Sequence, residues 1–498
     1  TAAAMRLLIL LCAAALVPAP FYPREEELPR RASCEAPLTP LISSAAAPAA
    51  VEHAALASAE PIARVRSASL SPSAAELIAR RQPLLLHGTA VDTWPARVWT
   101  WDTLAARLDG EEFVGVARLA GGLYAPVDVK AALEPRLRYP AGLEAVNMSA
   151  RAFFAAVERA RPLHQVGTSR EAWRAAGDRL VHFSQVPPRM RPALEPQAWM
   201  YPPTDDSKTR LQYVWLSTPG VRTHTHFDSD PNLFVQLIGE KRFFLWAPNQ
   251  TARMCPFPRL HPLWHKSRVD FEKPDLTIAP CEGYNKSHAF VADVGPGDVL
   301  YVPPYWWHTV ETLGPSPSLS LSTLSRWPQL YIHLNAIYSH EFFFDSLQSY
   351  TSRLYGLRLF LTQLLRKAAG GEAGSENTFI ATLVRQYTGF EDLFERDPDD
   401  EQKLCVLDER GTPTCRNCLG RTSFDVTIVW DEHLTQLPED VRPTVLSEFI
   451  EEVTQFVVGT NKTLPFWEQC FKGQRFFLTK GDSKEHSELW TEASKEEG

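Results

Sequence analysis

Hydrophobic and polar positions alternate along the middle of the chain and follow helical spacing on either side of it. Between 211 and 327, short apolar runs carry the alternation that is typical of β-strands, and Pro and Gly separate them. The clearest predicted strands are Leu211–Ser217, Arg222–Asp228, Leu233–Ile238, Arg242–Trp246, Ala289–Val294, Val299–Val302 and Ser318–Leu324. Several short strands at this spacing favour a β-sandwich or barrel.

Mixed and helical patterns flank this strand region. The elements predicted there are helices at Ala74–Arg80, Trp101–Leu108 and Leu330–Leu365, strands at Pro83–Gly88 and Phe113–Ala117, and a mainly helical region from 378 to 470. The Gly-rich stretch Gly370–Ser375 marks a boundary between the last two helical regions. Residues 21–72 are rich in Ala, Pro and Ser, which is the composition of a disordered linker.

The N-terminus has the features of a secretory signal peptide. Met5 and Arg6 precede an apolar run from Leu7 to about Val17, and small residues with Pro follow it. The run is shorter than the about 20 residues that a membrane-spanning helix needs, so a membrane anchor or a buried helix is the less favoured alternative. We expect no membrane segment once the signal has been removed.

Four N-x-[ST] sequons support the same localisation. They lie at Asn147, Asn249, Asn285 and Asn461, and none has Pro in the middle position. Sequons also arise by chance, but together with a signal peptide they indicate a glycoprotein that is secreted or resides in the endoplasmic reticulum lumen.

Composition narrows the class of protein. With 498 residues of which 44% are hydrophobic, the chain can bury a sizeable core. The net charge of −8 gives no basic surface for phosphate groups, so we do not expect nucleic acid as a partner. Seven of the eight Cys lie outside the signal peptide. Cys255 and Cys281 could close one insertion, and the C-terminal Cys could form disulfides or, less favourably, a zinc site.

These patterns divide the chain into six predicted parts. They are a signal peptide (1–20), a disordered linker (21–72), a β-rich domain (73–329), a helical extension (330–370), a helical region that contains Cys (378–480) and a disordered tail (481–498).

The predicted strands bring together a candidate metal site. His226 and Asp228 are two positions apart, so on an extended strand both side chains project from one face. His308 follows a Gly turn, a buried strand and a Pro-terminated strand end. Two His and one carboxylate form the facial triad of non-haem Fe(II) oxygenases, which leaves positions open for a co-substrate and O₂. Taken alone, each of these residues is more often a surface polar group or a buried core histidine.

The run from Thr223 to Pro248 and the stretch from Pro296 to His308 resemble the core of the JmjC family of hydroxylases. In detail they are most similar to its asparaginyl hydroxylase branch, the factor inhibiting hypoxia-inducible factor. The resemblance covers about residues 73–327 and is strongest from 213 to 313. It implies a double-stranded β-helix, also called a jelly-roll or cupin fold, with a helical C-terminal region.

The resemblance also implies a ligand set. His226, Asp228 and His308 would bind Fe(II), and Lys241 and Thr223 would bind the distal carboxylate of 2-oxoglutarate. Asn232 would lie near the metal as a further contact. A Lys ammonium inside a barrel needs an anion, which a dicarboxylate supplies. A solvated hairpin position is the alternative for Lys241.

Two positions depart from the family pattern. A tyrosine that binds 2-oxoglutarate is expected on an earlier strand, where this chain has Leu180-Val181-His182-Phe183. An asparagine on the last core strand corresponds to Ser325. These changes leave the predicted metal ligands intact but alter the expected co-substrate pocket.

The sequence therefore predicts a dioxygenase that uses Fe(II), 2-oxoglutarate and O₂ to hydroxylate a side chain of a protein substrate in the secretory pathway. The alternatives are a catalytically inactive, metal-binding cupin that acts as a lumenal interaction module, and a cupin of different chemistry such as a sugar-phosphate isomerase. By analogy with the family, the helical extension could form a homodimer.

Overall fold

The structure is a computed structural model. It describes residues 56, 58–66, 81–119, 123–126, 131–133, 143–165, 179–194, 211–270, 281, 283–313, 318–324, 350–394 and 426–471. The described residues fall into two compact units. One contains those up to His340 and the segment Thr427–Val453, and the other contains those between Glu341 and Val426 and those after Val453.

Strands make up most of the first unit. In chain order they are β1 (Glu60–Pro61), β2 (Arg64–Arg66), β3 (Leu84–His87), β4 (Glu112–Leu119), β5 (Leu123–Tyr124), β6 (Leu143–Ser149), β7 (Arg179–Gln185), β8 (Leu211–Ser217), β9 (Arg222–Thr223), β10 (Asn232–Ile238), β11 (Glu240–Trp246), β12 (Phe290–Val294), β13 (Val299–Val302), β14 (Trp307–Leu313) and β15 (Ser318–Leu324). They form a larger sheet in the order β2-β3-β13-β10-β15-β8-β7-β4-β6 and a smaller one in the order β1-β12-β11-β14-β9-β5.

The two sheets pack against each other around a common apolar core. Phe234 and Leu300 of the larger sheet belong to the same buried cluster as Phe243 and Leu245 of the smaller one. Residues on opposite faces of the same strands, such as Val235, join a second cluster on the outer side of the larger sheet. Strands that are buried on both faces have continuous apolar runs in their sequence, as β10 and β13 do. The double-stranded β-helix that the sequence predicted is confirmed.

One glycine allows the chain to cross between the sheets. Gly239 lies between β10 of the larger sheet and β11 of the smaller sheet and has φ of +73°. L-residues with a side chain adopt this left-handed backbone at a cost, whereas glycine does not. The turn therefore delivers β11 directly to its partners β12 and β14.

Helices complete both units. They are α1 (Trp101–Arg107), α2 (Ala150–Gln165), α3 (Thr251–Met254), α4 (Tyr350–Ala368), α5 (Ser375–Gln386), α6 (Arg442–Val458) and α7 (Thr463–Cys470). A capping box between Thr100 and Thr103 starts α1, and Trp101 and Phe153 pack under the larger sheet. In the second unit, α4, α5 and α7 surround buried side chains such as Leu361, Ile380 and Trp467. No helix in the described ranges has the length and apolar character that a membrane crossing requires.

The strands differ from the prediction at several places, and β5 and β6 were not predicted. Strand β14, which carries His308, was missed, and the strand predicted at Arg222–Asp228 is reduced to β9 and an isolated bridge at His226. Order also begins before the predicted boundary, because β1 and β2 lie within 21–72. Each is two or three residues long and pairs with a distant strand, β12 or β3, so local composition gives no signal for it.

The helical C-terminal region is also divided between the two units in a way that the sequence did not predict. Residues 427–453 belong to the first unit, although the sequence predicted one region from 378 to 480. Cys255 and Cys281 are buried thiols and are not joined by a disulfide.

Several predictions concern residues outside the described ranges. They are the signal peptide, most of the linker, the helix at 74–80, the first part of the helical extension, Ser325, the three Cys between 405 and 418, and the tail.

Shortening a side chain between the two sheets should destabilise the first unit. Leu300 is fully buried in the shared cluster, so Leu300→Ala should lower the free energy of unfolding by about 2 to 5 kcal/mol, since a Leu-to-Ala change in a core leaves a cavity. Denaturant unfolding measures this. Val98→Ala is the control, because Val98 is 81% exposed, and an equal effect of the two substitutions would contradict the assigned core.

Candidate metal centre and co-substrate pocket

Two histidines from different segments are held side by side by backbone pairing. The amide of His226 donates to the carbonyl of His308 at 3.0 Å, and the amide of His308 donates to the carbonyl of His226 at 2.7 Å. The pairing brings the two ring centroids to 4.3 Å. The ligands are therefore positioned by the main chain, which moves less than exposed side chains do.

Asp228 completes the group. Its Oδ1 lies 4.0 Å from His226 Nε2 and its Oδ2 lies 3.8 Å from His308 Nε2. The amide of Tyr305 donates to the carbonyl of Asp228 at 2.7 Å and ties this residue to the start of β14. One ligand atom from each of the three residues lies within 4.8 Å of the others. A first-row metal binds such atoms at about 2.1 Å, so small side-chain rotations would close them around one ion.

Hydrogen bonds orient both rings for metal binding. His226 Nδ1 lies 2.7 Å from the carbonyl of His224, and His308 Nδ1 lies 3.0 Å from the carbonyl of Trp306. A carbonyl only accepts, so each Nδ1 carries the proton and each Nε2 has its lone pair available. Burial, with the nearby His308 and Lys266, lowers the pKa of His226 well below its usual value, which keeps the ring neutral. The donor set fits a divalent metal.

His224 is not part of this group. Its side chain is buried, and its Nδ1 lies 3.1 Å from the carbonyl of Thr225. In the described part of the chain, the residues that could hold one metal ion are His226, Asp228 and His308.

A second backbone segment supports the ligand-bearing chain from the other side. The amide of Phe227 donates to the carbonyl of His265 at 3.1 Å, and the amide of Ser267 donates to the carbonyl of Thr225 at 2.9 Å. The ring of Phe227 lies 4.4 Å from that of His265 and 4.9 Å from that of Trp307. The ligand segment is thus fixed between β14 and residues 265–267.

Helix α6 anchors this supporting segment. Glu448 Oε1 lies 3.1 Å from His265 Nε2, and Glu451 accepts a hydrogen bond from the amide of Arg259 at 2.9 Å. The Arg259 side chain also forms an ion pair with Glu452. These residues belong to the first unit although they lie far along the chain. Sequence reasoning missed them, because nothing in the local pattern of a helix indicates such a partner.

Lys241 is a buried cation without a described counter-ion. It is 4% exposed, and its Nζ lies 5.3 Å from the ring centroid of Phe234 and 5.8 Å from that of Trp215. No described carboxylate lies within ion-pair distance of it. Burial lowers the pKa of Lys241 to about 7. The solvated hairpin position considered for this residue is excluded, and its surroundings need an anion.

The register of the smaller sheet aligns Lys241 with the metal ligands. Lys241 pairs with Thr312 of β14, and Arg222 pairs with Glu311, which sets Thr223 beside Val310. Residues two apart on a strand share a face, so positions 308, 310 and 312 point to the same side. Lys241 and Thr223 therefore flank β14 on the face that carries His308.

Thr223 and Asn232 are held at the ends of their strands. Thr223 Oγ1 accepts from the amide of Val310 at 2.9 Å, and the carbonyl of Thr223 accepts from the Thr309 hydroxyl at 2.7 Å. Asn232 pairs with Val302 and Leu324 at the start of β10 and is half-buried. Because the Thr223 oxygen uses a lone pair to accept this bond, its hydroxyl hydrogen remains available to donate to a ligand.

The strand where a tyrosine was expected carries none, as the sequence indicated. On β7, Phe183 lies 4.1 Å from the ring of Trp215, and His182 stacks on Phe113 at 4.1 Å. Burial lowers the pKa of His182 to about 4, so this histidine is neutral and part of the core. An apolar wall therefore occupies this side of the pocket.

Removing a ligand should abolish tight metal binding. His226→Ala should weaken Co(II) or Zn(II) binding by on the order of 100-fold or more, because even the loss of outer partners costs 10- to 100-fold. Competition with a chelating dye measures this. His288→Ala is the control, since that side chain is 50% exposed and contacts Glu60. Equal affinities in the two variants would show that the ligands are misassigned.

Loosening the anchor on α6 should weaken the metal site less strongly. Glu448→Gln removes the charge partner of His265 and should raise the metal dissociation constant by about 10-fold, as outer-sphere changes do. The matched control is Glu439→Gln, at an exposed position that precedes α6. If both variants bind metal like the wild type, α6 does not support the ligand segment.

Comparison with known proteins supports the fold. Residues 71–342, more than half of the chain, match the family model of the cupin-like domain. The HSPB1-associated protein 1 homolog of Danio rerio is 36% identical over 106 residues, which are 20% of this chain and 23% of that protein. The Jumonji C domain-containing protein 5 of Drosophila melanogaster is 35% identical over 107 residues, 22% of this chain and 26% of that protein.

A third relative has a lower identity. The lysine-specific demethylase JMJ31 of Arabidopsis thaliana is 25% identical over 129 residues, 25% of this chain and 23% of that protein. The chain thus spans about a quarter of the length of these curated relatives. The family match covers the two-sheet domain and its metal-ligand group together. Because more than half of the chain matches this family model and the structure has the corresponding two-sheet fold, the chain belongs to the cupin-like domain family, with JmjC proteins among its relatives.

Proposed function

We propose that this protein is an Fe(II)- and 2-oxoglutarate-dependent oxygenase that hydroxylates a side chain of a protein substrate in the secretory pathway. The observation that carries the proposal is Lys241, a buried ammonium with no carboxylate partner among the described residues, on the same strand face as the metal ligand His308. A metal and a cation at the two ends of one pocket suit a molecule with an oxo-acid at one end and a carboxylate at the other.

The distance along β14 supports this assignment. His308 and Thr312 are four positions apart, which is about 14 Å of extended strand. The Lys241 side chain, which starts beside Thr312, can extend back toward the metal over the rings of Trp215 and Phe234. We expect a five-carbon dicarboxylate to bridge the rest of the distance to the metal.

Different residues would bind the metal and the co-substrate. His226, Asp228 and His308 would hold Fe(II) through two imidazole nitrogens and a carboxylate, and the other metal positions stay open. Lys241 would pair with the distal carboxylate, Thr223 would donate a hydrogen bond to it, and Asn232 would contact the metal end. When bound, Fe(II) with 2-oxoglutarate and O₂ supplies the oxidation, in which 2-oxoglutarate loses CO₂ to give succinate and one oxygen atom enters a C–H bond.

Aromatic side chains lie around the Lys241 ammonium. The Lys241 ammonium lies over the rings of Trp215 and Phe234, and Phe183 packs against Trp215, so these rings would limit the access of water to it. In such surroundings a charge-assisted hydrogen bond is stronger than in water. One relative is named a demethylase, and oxidative removal of an N-methyl group also begins with hydroxylation of a C–H bond, so this chemistry is compatible with either outcome.

Exposed sequons support the proposed compartment. Asn147, Asn249 and Asn285 are all exposed in the first unit, where an oligosaccharide could be attached without disturbing the core. A glycosidase-induced shift in the mass of the protein expressed in animal cells would be the expected result. An unmodified protein in the cytosol would contradict a secretory location and leave the chemistry untouched.

A second candidate function has one observation in its favour. Strand β7 has no tyrosine facing the pocket, which fits a metal-binding cupin that has lost turnover and acts as an interaction module in the lumen. Purified protein with Fe(II), ascorbate and 2-oxoglutarate distinguishes the two. We expect succinate to form in the wild type and not in His226→Ala. Absence of both succinate formation and 2-oxoglutarate binding would favour the module.

Binding of 2-oxoglutarate should weaken as the pH rises. In the unliganded protein the pKa of Lys241 is about 7, so the ammonium that pairs with the carboxylate is present below this pH and is lost above it. The affinity of the Zn(II)-loaded protein for 2-oxoglutarate should be highest near pH 6. Above pH 7 it should fall by up to about tenfold for each pH unit. Calorimetry measures this. Lys241→Arg should flatten the dependence because Arg stays charged, and a flat wild-type profile would contradict the assignment.

A further inference from the structure

Arg222 lies on the outer face of the short strand that carries Thr223. We propose that Arg222 is a positioning residue of the co-substrate pocket, which holds the Thr223 hydroxyl beside the distal carboxylate of 2-oxoglutarate. It does so through an ion pair with Asp270 and through the adjacent charge of Glu311. This inference rests on the proposed function, because Arg222 would act through Thr223 and not on the co-substrate itself.

Strand β9 has little backbone pairing to hold it in place. It is two residues long and pairs with β14 at one position, where Arg222 lies opposite Glu311, and with β5, which also has two residues. At the next position side chains continue the contact. The amide of Val310 donates to Thr223 Oγ1, and the Thr309 hydroxyl donates to the Thr223 carbonyl. The position of Thr223 therefore depends on the other contacts of β9.

Alternating charges cross the outer face of the smaller sheet and end beside β9. Glu311 of β14 lies directly between Arg242 of β11 and Arg222 of β9. Opposite charges that face each other across two strands attract. An aspartate follows at either end of this row. Arg242 donates two hydrogen bonds to Asp293, at 2.6 and 2.8 Å, and Arg222 Nη1 donates to Asp270 Oδ1 at 2.8 Å.

Burial distinguishes the ion pair of Arg222 from the one at the other end of the row. The side chains of Arg222 and Asp270 are 12% and 16% exposed, and Glu311 is 5% exposed. The side chains of Arg242 and Asp293 are 35% and 59% exposed, so water screens their attraction. Removing one partner of a buried pair leaves an uncompensated charge. Without Arg222, which lies next to two buried carboxylates, we expect β9 to shift.

The metal ligands have backbone bonds of their own. Asp270 follows the supporting segment 265–267, so Arg222 also links β9 to this segment. The amides of His226 and His308, however, each donate to the other's carbonyl, and the amide of Ser267 donates to the carbonyl of Thr225. These bonds do not involve Arg222. We therefore expect its loss to change the distal end of the pocket and not the metal end.

A displaced Thr223 should affect one end of the co-substrate. 2-Oxoglutarate and 2-oxobutyrate share the 2-oxo acid that would bind the metal, but only 2-oxoglutarate has a distal carboxylate. Arg222→Gln should therefore weaken the binding of 2-oxoglutarate and leave that of 2-oxobutyrate unchanged. A general loss of stability would affect both ligands equally.

Calorimetry on the Zn(II)-loaded full chain measures both affinities without turnover. Arg222→Gln should weaken 2-oxoglutarate binding by about tenfold or more, as the loss of a hydrogen bond to a charged group does. Arg222→Lys keeps the positive charge and should recover most of the affinity. Arg118→Gln is the matched control, because Arg118 also forms a cross-strand ion pair, with Glu144 at 3.1 Å, but between β4 and β6. Its binding should equal that of the wild type.

A double-mutant cycle with Thr223→Val tests whether Arg222 acts through Thr223. Substitutions that act on the same contact have non-additive effects, so Arg222→Gln should change the affinity by less than about twofold once Thr223 is replaced. Asp270→Asn removes the other partner of the ion pair, so it decides the question even if Arg222→Gln does not fold. It should also weaken 2-oxoglutarate and leave 2-oxobutyrate unchanged.

The other outcomes separate this inference from the proposed function. If Arg222→Gln and Asp270→Asn bind 2-oxoglutarate like the wild type while Lys241→Met loses it, the role of Arg222 is wrong and the proposed function stands. Equal weakening of both oxo acids, or additive effects in the cycle, would also overturn the role of Arg222. If the wild type does not distinguish 2-oxoglutarate from 2-oxobutyrate, the proposed function fails and this inference fails with it.

Discussion

The register of strand β14 between β11 and β9 is the constraint on which the site depends. His308, Val310 and Thr312 share one face of this strand, and the pairing of β11 and β9 with it sets Lys241 and Thr223 on the same face. A shift of one residue would turn the inner positions to the outer side of the sheet. The mutual hydrogen bonds of His226 and His308 then add the second metal ligand to that frame. The metal ligands and Lys241 are thus aligned by the backbone pairings of β14.

Much of the site could be predicted from the chain because its signals are local. The short spacing of His226 and Asp228 indicates that both side chains bind one metal ion, whereas the role of Lys241 was implied by the resemblance to the JmjC family. The residues that complete the arrangement gave no such signal. Glu451 contacts Arg259 from 192 positions away, and Glu448 likewise contacts His265 from a distant part of the chain. Such contacts are determined by tertiary packing, which a single sequence does not display.

The fold shows the same contrast between elements that the local sequence indicates and elements that depend on tertiary packing. Strands β10, β11 and β13 were predicted because both their faces are buried and their apolar runs are bounded by turn residues. Strand β14 was missed because aromatic and polar residues alternate irregularly after Pro303 and Pro304, so neither period is clear. The strands β1 and β2 form only because β12 and β3 offer them an edge. The part of helix α6 up to Val453 likewise belongs to the first unit, although it lies outside the segment that matches the family model.

The central claim is that the metal triad and Lys241 hold the two ends of one molecule. Anaerobic titration of the Fe(II)-loaded protein with 2-oxoglutarate tests this directly, because chelation of Fe(II) by a 2-oxo acid produces a visible charge-transfer band. The account predicts that the band appears and saturates at one 2-oxoglutarate per chain, and that Lys241→Met needs a far higher concentration to reach it. A wild-type protein without the band, or a Lys241→Met variant that saturates at the same concentration, would contradict the account.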